Sequence, residues 1–196
     1  MPIRKALPCF ALLLIAAFAA VRLEAQVVVT LPNKSTTSDS VLPPRLHVEV
    51  NGTSLELRQA GRSVRKFLFF KVYNVAHYLG EENVRALAIR YRRDIDVERI
   101  HDALKDGFKQ NTNDEEWEGV APEVEALLAE IDSDISEEDQ LVMFRVGRDD
   151  TVFMLNGSQI YSVSSHLFGE VLWRIWLGDQ SVVDRASLMG ELSHSK

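Results

Sequence analysis

The run Arg65–Leu79, Arg-Lys-Phe-Leu-Phe-Phe-Lys-Val-Tyr-Asn-Val-Ala-His-Tyr-Leu, is the longest apolar and aromatic stretch outside the N-terminus. Its alternation reads as one long central strand. Leu68, Phe70, Val72, Ala76 and Tyr78 point one way, while Phe67, Phe69, Tyr73, Val75 and Leu79 point the other, so neither face can stay in water. Such a strand needs cover on both sides, with helices on one face and something apolar, protein or ligand, on the other.

The flanking segments supply those partners. Leu46, Val48 and Val50 alternate with Arg45, His47 and Glu49 up to Asn51-Gly52, and Leu55 and Leu57 continue beyond, which predicts a hairpin. Gln59 to Ser63 reads as a loop leading into the central strand, and Leu87–Tyr91 as a shorter strand after it. Val97, Ile100, Leu104 and Phe108 recur at helical spacing behind Asp96, a candidate N-cap, giving a helix over 97–109. A second helix is expected from Pro122, with Val124, Leu127, Leu128 and Ile131 buried, followed by a solvated acidic connection over 132–139. Strands at 141–146, 151–155 and 159–163 follow, the last two joined by Asn156-Gly157. Ser164 or Ser165 caps a final amphipathic helix that Gly178 stops, and a short helix around 184–192 closes the chain. This order of elements predicts an antiparallel sheet with helices packed on one face, in the α+β class.

Length and charge narrow the function. A chain of 196 residues with 46% hydrophobic content fits one domain. Arg4 and Lys5 precede an apolar region from Phe10 to Ala20, with small Ala25 ahead of Gln26, the layout of an export signal over residues 1–25. That apolar region is shorter than the roughly 18–20 residues a spanning helix needs, which favours cleavage over a retained anchor and leaves no stable membrane span afterwards. Residues 26–44 then form a flexible lead-in, and 45–192 the domain. The first 25 residues carry a net +2, so the formal charge of −7 becomes −9 for the remainder. Such a balance opposes binding to a phosphate backbone, and nucleic acid is not expected as a partner. Cys9 is lost with the signal, leaving neither disulfides nor thiolate chemistry. The five histidines show no ligand spacing, and neither a metal nor another cofactor is implied.

Ala60-Gly61, Val64-Arg65, Phe69-Phe70-Lys71-Val72-Tyr73, Tyr78-Leu79, Arg93-Asp94, Gly107-Phe108, Leu155-Asn156-Gly157 and Ile175-Trp176-Leu177-Gly178 occur in this order. In that order they resemble the chalcone isomerase-like superfamily, particularly its bacterial exported members. The resemblance implies an open-faced β-sandwich, with helices against one face of an antiparallel sheet and a ligand cleft on the other. Family members cyclise chalcones, bind fatty acids, or have no catalytic role.

The resemblance also assigns candidate residues. Arg65 matches the arginine that faces the anionic part of the ligand, and a guanidinium suits a phenolate or a carboxylate equally. Tyr73 stands where isomerases carry threonine. Asp96, Arg99 and Ala103 replace the tyrosine, lysine and asparagine of the isomerase set, so that set is largely missing. The carboxylate clamp of the fatty-acid-binding members also lacks its tyrosine, a role that falls to Tyr91 or Tyr73. Lys71, among aromatics, is a further candidate for lining the cleft. The reading that follows is a binding protein for a small apolar or amphipathic acid held by Arg65, Tyr73, Lys71 and Tyr91, with no catalytic residue assigned. The alternatives are a chalcone isomerase-type intramolecular lyase and a non-catalytic interaction protein.

Overall fold

Strand order in space follows strand order in sequence. The computed structural model describes residues 27–30 and 42–191. It holds one eight-stranded antiparallel sheet of β1 (Val27–Thr30), β2 (Arg45–Val50), β3 (Thr53–Phe67), β4 (Phe70–Leu79), β5 (Arg85–Tyr91), β6 (Gln140–Val146), β7 (Asp150–Leu155) and β8 (Ser158–Ser164). Helices α1 (Val97–Gln110) and α2 (Asp114–Glu130) fill the connection from β5 to β6, and α3 (His166–Leu177) and α4 (Arg185–Met189) follow β8. The α+β class and the antiparallel sheet are as anticipated. The expected export signal at 1–25 and most of the lead-in lie outside the described residues. The lead-in does contribute one strand, because Val27–Thr30 pairs with β2 from Val27↔Val50 to Thr30↔His47.

Two hairpins turn where Asn-Gly predicts. Asn51 and Gly52 have φ of +50° and +79°, and Asn156 and Gly157 have +51° and +85°, the positive pair a tight type I′ turn requires. A third hairpin with a two-residue turn, between β3 and β4, was not foreseen. Residues 65–79 are not one strand: the chain reverses at Leu68-Phe69, with Phe67 paired to Phe70. No Gly, Asn, Asp or Pro marks this reversal, and the apolar alternation runs through it unbroken. Leu68 sits at φ +53°, a left-handed conformation that costs a side-chain-bearing residue about 1 kcal/mol. The expected loop at Gln59–Ser63 is likewise the middle of β3, with a register shift between Gln59 and Gly61.

Both faces of the sheet are buried, by different means. The rows Val75–Ile89–Leu141–Leu155 and Leu87–Met143–Phe153–Tyr161 face the helices and join Phe108, Val124, Leu127, Phe168, Leu172 and Trp176 in one core. On the reverse, Ala76–Ala88–Val142–Met154 and Tyr78–Ala86–Phe144–Val152 pack with Leu46, Val48 and Val50 of β2. Among the described residues no helix packs on this side, yet these side chains are almost fully buried, as a sheet curled into a half-barrel allows. Alanines at 76, 86 and 88 leave room inside the curl for Phe144 and Tyr78, whose hydroxyl donates to Pro43 O at 2.7 Å. The face that the resemblance assigns to a ligand cleft is therefore filled by the chain's own side chains.

Several helix signals resolve differently from expectation. Helix α2 begins at Asn113, not Pro122: the Asn113 side chain accepts from Glu116 N at 2.9 Å while Glu116 accepts from Asn113 N at 3.2 Å, a reciprocal capping box. Pro122 lies inside the helix. Asp96 occupies the N-cap position of α1, but its side chain makes an ion pair with Arg99 at 3.2 Å, and Asp134 Oδ1 accepts from Val97 N instead. The acidic connection is folded back rather than free in solvent. Ile95 and Ile135 exchange backbone hydrogen bonds, and Glu138 bridges Arg90 at 2.8 Å and Arg92 at 3.4 Å.

Helix α4 reaches the sheet over Gly61. A Cβ there would lie 2.3 Å from Ser187 O and 2.5 Å from Leu188 O. Gly61→Ala is expected to lower stability by about 1–3 kcal/mol, read as a lower urea midpoint, and to expose the C-terminal segment to protease before the sheet. An unchanged midpoint would show that α4 is not fixed by this contact.

Candidate functional site

Arg65, Tyr73 and Tyr91 are consecutive register partners across β3, β4 and β5. Alternation places Tyr73 with Val75 on the helix-facing side of the sheet, and both belong to the core shared with the helices. A register shift between Arg65 and Lys66 separates this stem position from the hairpin tip, and the intervening Val72 O accepts from Arg92 N at 2.9 Å. Ordinary alternation along β3 turns Arg65 inward and leaves Lys66 exposed, while the bulge at Val72 on the facing strand offsets Lys71 from Tyr73.

The half-buried Arg65 is held by the chain's C-terminal segment, its Nη1 donating to Val182 O at 2.6 Å. That carbonyl is itself fixed, because Val182 N donates to Ile175 O at 3.0 Å and Ser181 Oγ donates to Trp176 O at 2.6 Å. Trp176, 4% exposed, donates its indole Nε1–H to the Tyr73 hydroxyl oxygen at 3.0 Å. With a lone pair of that oxygen engaged, the Tyr73 O–H is left to donate. Burial pushes the Tyr73 phenol up to about 12, against the opposing pull of the indole hydrogen bond and the Arg65 charge, so it stays protonated throughout the physiological range. Tyr91 packs edge-on against Tyr73, ring centroids 5.9 Å apart at 73°. Its hydroxyl is also raised, by burial first and then by Tyr73 and Asp139.

Three of the four expected ligand residues thus come together. Lys71 does not join them: it is exposed at the hairpin tip, directly opposite Lys66. Asp96, Arg99 and Ala103, matched to isomerase donors, are all exposed on and beside α1, so none of the three is buried beside Tyr73. Trp176 and Val182 are the participants that sequence reasoning missed. The available signal for Trp176 was its indole N–H, which a buried tryptophan must satisfy. A fixed cation, two neutral phenols and the half-buried Leu177, Val182 and Val183 make a site suited to an anionic head with an apolar body. Among the described residues no group of three His, Cys, Asp or Glu side chains is placed to hold a metal.

A curled antiparallel sheet carrying helices on one face is the architecture of chalcone isomerase-like proteins. A family model described as chalcone isomerase-like matches residues 36–189, and the chain belongs to that family. Among solved structures it is similar to an Arabidopsis thaliana fatty-acid binding protein, with a TM-score of 0.59 and 10% identity over 83% of this chain and 96% of that one. At that identity the likeness is one of fold. No curated protein matches the chain.

Deeper along the same face lies His77, 5% exposed, paired in register with Gly61 and Leu87. Burial, and then the charge of Arg85, lower its imidazole to about 4. An unfolded histidine takes its proton near 6.5, so between about 6.5 and 4 the unfolded chain binds more protons and stability falls as pH falls. The full loss is on the order of 3 kcal/mol. A His77→Leu variant should show a flatter urea midpoint across that window than the wild type, and parallel profiles would remove His77 as the cause.

Proposed function

We propose that this chain is a non-catalytic binding protein for a small apolar acid of the fatty-acid type, held by its carboxylate at Arg65. The observation that carries the reading is the Arg65–Tyr73 pair: a guanidinium fixed from behind by Val182 O, beside a phenol whose proton is free to be donated. A guanidinium offers five N–H donors in a fork that matches a carboxylate. Tyr73 adds a neutral donor, and Tyr91, Leu177 and Val183 supply apolar surface beside it. The fold-level likeness to a plant fatty-acid binding protein supports the same reading. The exposure of Asp96, Arg99 and Ala103 weighs against chalcone cyclisation, which needs donors where charge grows on the ketone. We also propose export to the periplasm or exterior, on the basis of Arg4, Lys5 and the apolar region that follows. N-terminal sequencing of chain recovered from the periplasm or medium checks it, with Gln26 expected as the first residue.

Titration with a long-chain fatty acid and with the alcohol of equal length tests the ligand. The acid should bind more tightly than the alcohol. Arg65→Ala should weaken the acid roughly tenfold to a hundredfold, as loss of a charge-assisted hydrogen bond implies, and leave the alcohol nearly unchanged. Tyr73→Phe should cost the acid about threefold to tenfold. Equal affinity for acid and alcohol would remove the carboxylate anchor, and chalcone consumed faster than in buffer, with loss on Arg65→Ala, would replace this reading with an isomerase.

A further inference from the structure

The β3–β4 hairpin ends in four consecutive exposed apolar side chains: Phe67 is 64% exposed, Leu68 75%, Phe69 96% and Phe70 56%. Among the described residues the only other exposed large apolar side chains are Leu79 and Met189, each isolated in sequence from the others. The tip is also chemically unlike the other tight turns of the sheet. Those use Asn51-Gly52 and Asn156-Gly157, whereas here a leucine takes the positive φ and a phenylalanine follows it. Neither solubility nor turn geometry favours that choice.

Charge says what the tip faces. In a chain of net −7, the stretch from Leu57 to Gly80 contains no Asp or Glu but carries Arg58, Arg62, Arg65, Lys66 and Lys71. Lys66 and Lys71 are directly opposite each other one step behind the tip, both exposed, a like-charge pair that destabilises an isolated hairpin. The exposed Arg93 places its guanidinium 5.0 Å over the Phe70 ring. Three cations therefore form a collar around an apolar point.

We propose that this hairpin tip is a membrane-docking wedge. Phe67, Leu68, Phe69 and Phe70 enter the interface of an anionic phospholipid bilayer, and Lys66, Lys71 and Arg93 lie among its head groups. Insertion of apolar side chains supplies binding, anionic lipid relieves the repulsion between the two lysines, and aromatic rings suit the interfacial depth. No helix among the described residues is long and apolar enough to cross a membrane, so the contact is peripheral. Arg65 lies on the same hairpin just behind the bulge, so docking brings the Arg65–Tyr73 position to the depth of lipid carboxylates and phosphates.

Full-length chain is sedimented with vesicles of phosphatidylcholine alone and of phosphatidylglycerol mixed with phosphatidylcholine. Leu68→Asn combined with Phe69→Gly converts the tip into the turn used by the other two hairpins, which should hold or raise the urea midpoint. The same comparison with chain beginning at Gln26, the form expected after export, removes the apolar region at 10–20 as a source of vesicle binding. The wild type should bind anionic vesicles well over tenfold more tightly than the double variant, and Lys66→Gln and Lys71→Gln should each weaken binding roughly fivefold at low salt. Fatty-acid affinity measured without vesicles should be the same in wild type and double variant, which separates failure of the wedge from failure of the ligand reading. Equal vesicle binding by wild type and double variant overturns the proposal. So does equal binding to neutral and anionic vesicles. A wild-type dimer that the double variant loses, with no vesicle binding by either, would assign the tip to a second copy of the chain and likewise overturn it.

Discussion

The sheet has to bury both of its faces, and among the described residues it has one layer of helices with which to do so. Curling resolves the shortage. The strictly sequential strand order lets the curled sheet gather Leu46, Val48 and Val50 into one buried cluster with Val142, Phe144, Val152 and Met154, so the sheet covers its own inner face. Alanines at 76, 86 and 88 are what the curl demands of its inside, since larger side chains there would hold the strands apart. Every other feature follows from this. The outer face is left to the helices, and any ligand position must lie between sheet and helices, not on an open side.

That constraint places chemistry at the margin of the helix layer. Arg65, Tyr73 and Tyr91 lie in one row across three strands, at the end where α3 gives way to the segment carrying Val182. A cation so placed is neither fully desolvated nor loose in water. Its hydrogen bond to Val182 O fixes direction without neutralising charge, which leaves the guanidinium able to pair with an anion. Further along the same face the polar groups are structural. Arg145, 2% exposed, donates to Arg148 O and pairs with Glu170, so its charge is answered within the chain.

Much of this was legible in the residues, and the parts that were not share a cause. Alternation in 45–57 and 141–163, the two Asn-Gly turns and the Ser165 cap each carry a local physical signature, and each element formed where it points. The turn at Leu68-Phe69 carries none, because its residues are chosen for something other than turning. Lys71 stands among aromatics in sequence, and the unmarked turn and the bulge at Val72 are why it does not join Tyr73: in an unbroken strand, residues two apart would share a surface. The capping box at Asn113 and Glu116 was present to be read, but Pro122 is the louder signal and sits in a helix it did not start. Arg65 and Tyr73 were named through resemblance, and their meeting with Trp176 depends on long-range packing that no local pattern encodes.

The bond from Arg65 to Val182 joins positions 117 residues apart, linking the β3–β4 hairpin to the segment that follows α3. The sheet and three of the helices are complete in sequence before residue 182 appears. A chain broken off earlier would retain its whole sheet and yet lack the carbonyl that orients the guanidinium. The direction of that guanidinium is thus settled by a segment made after every strand, so a complete set of strands does not by itself imply an oriented Arg65.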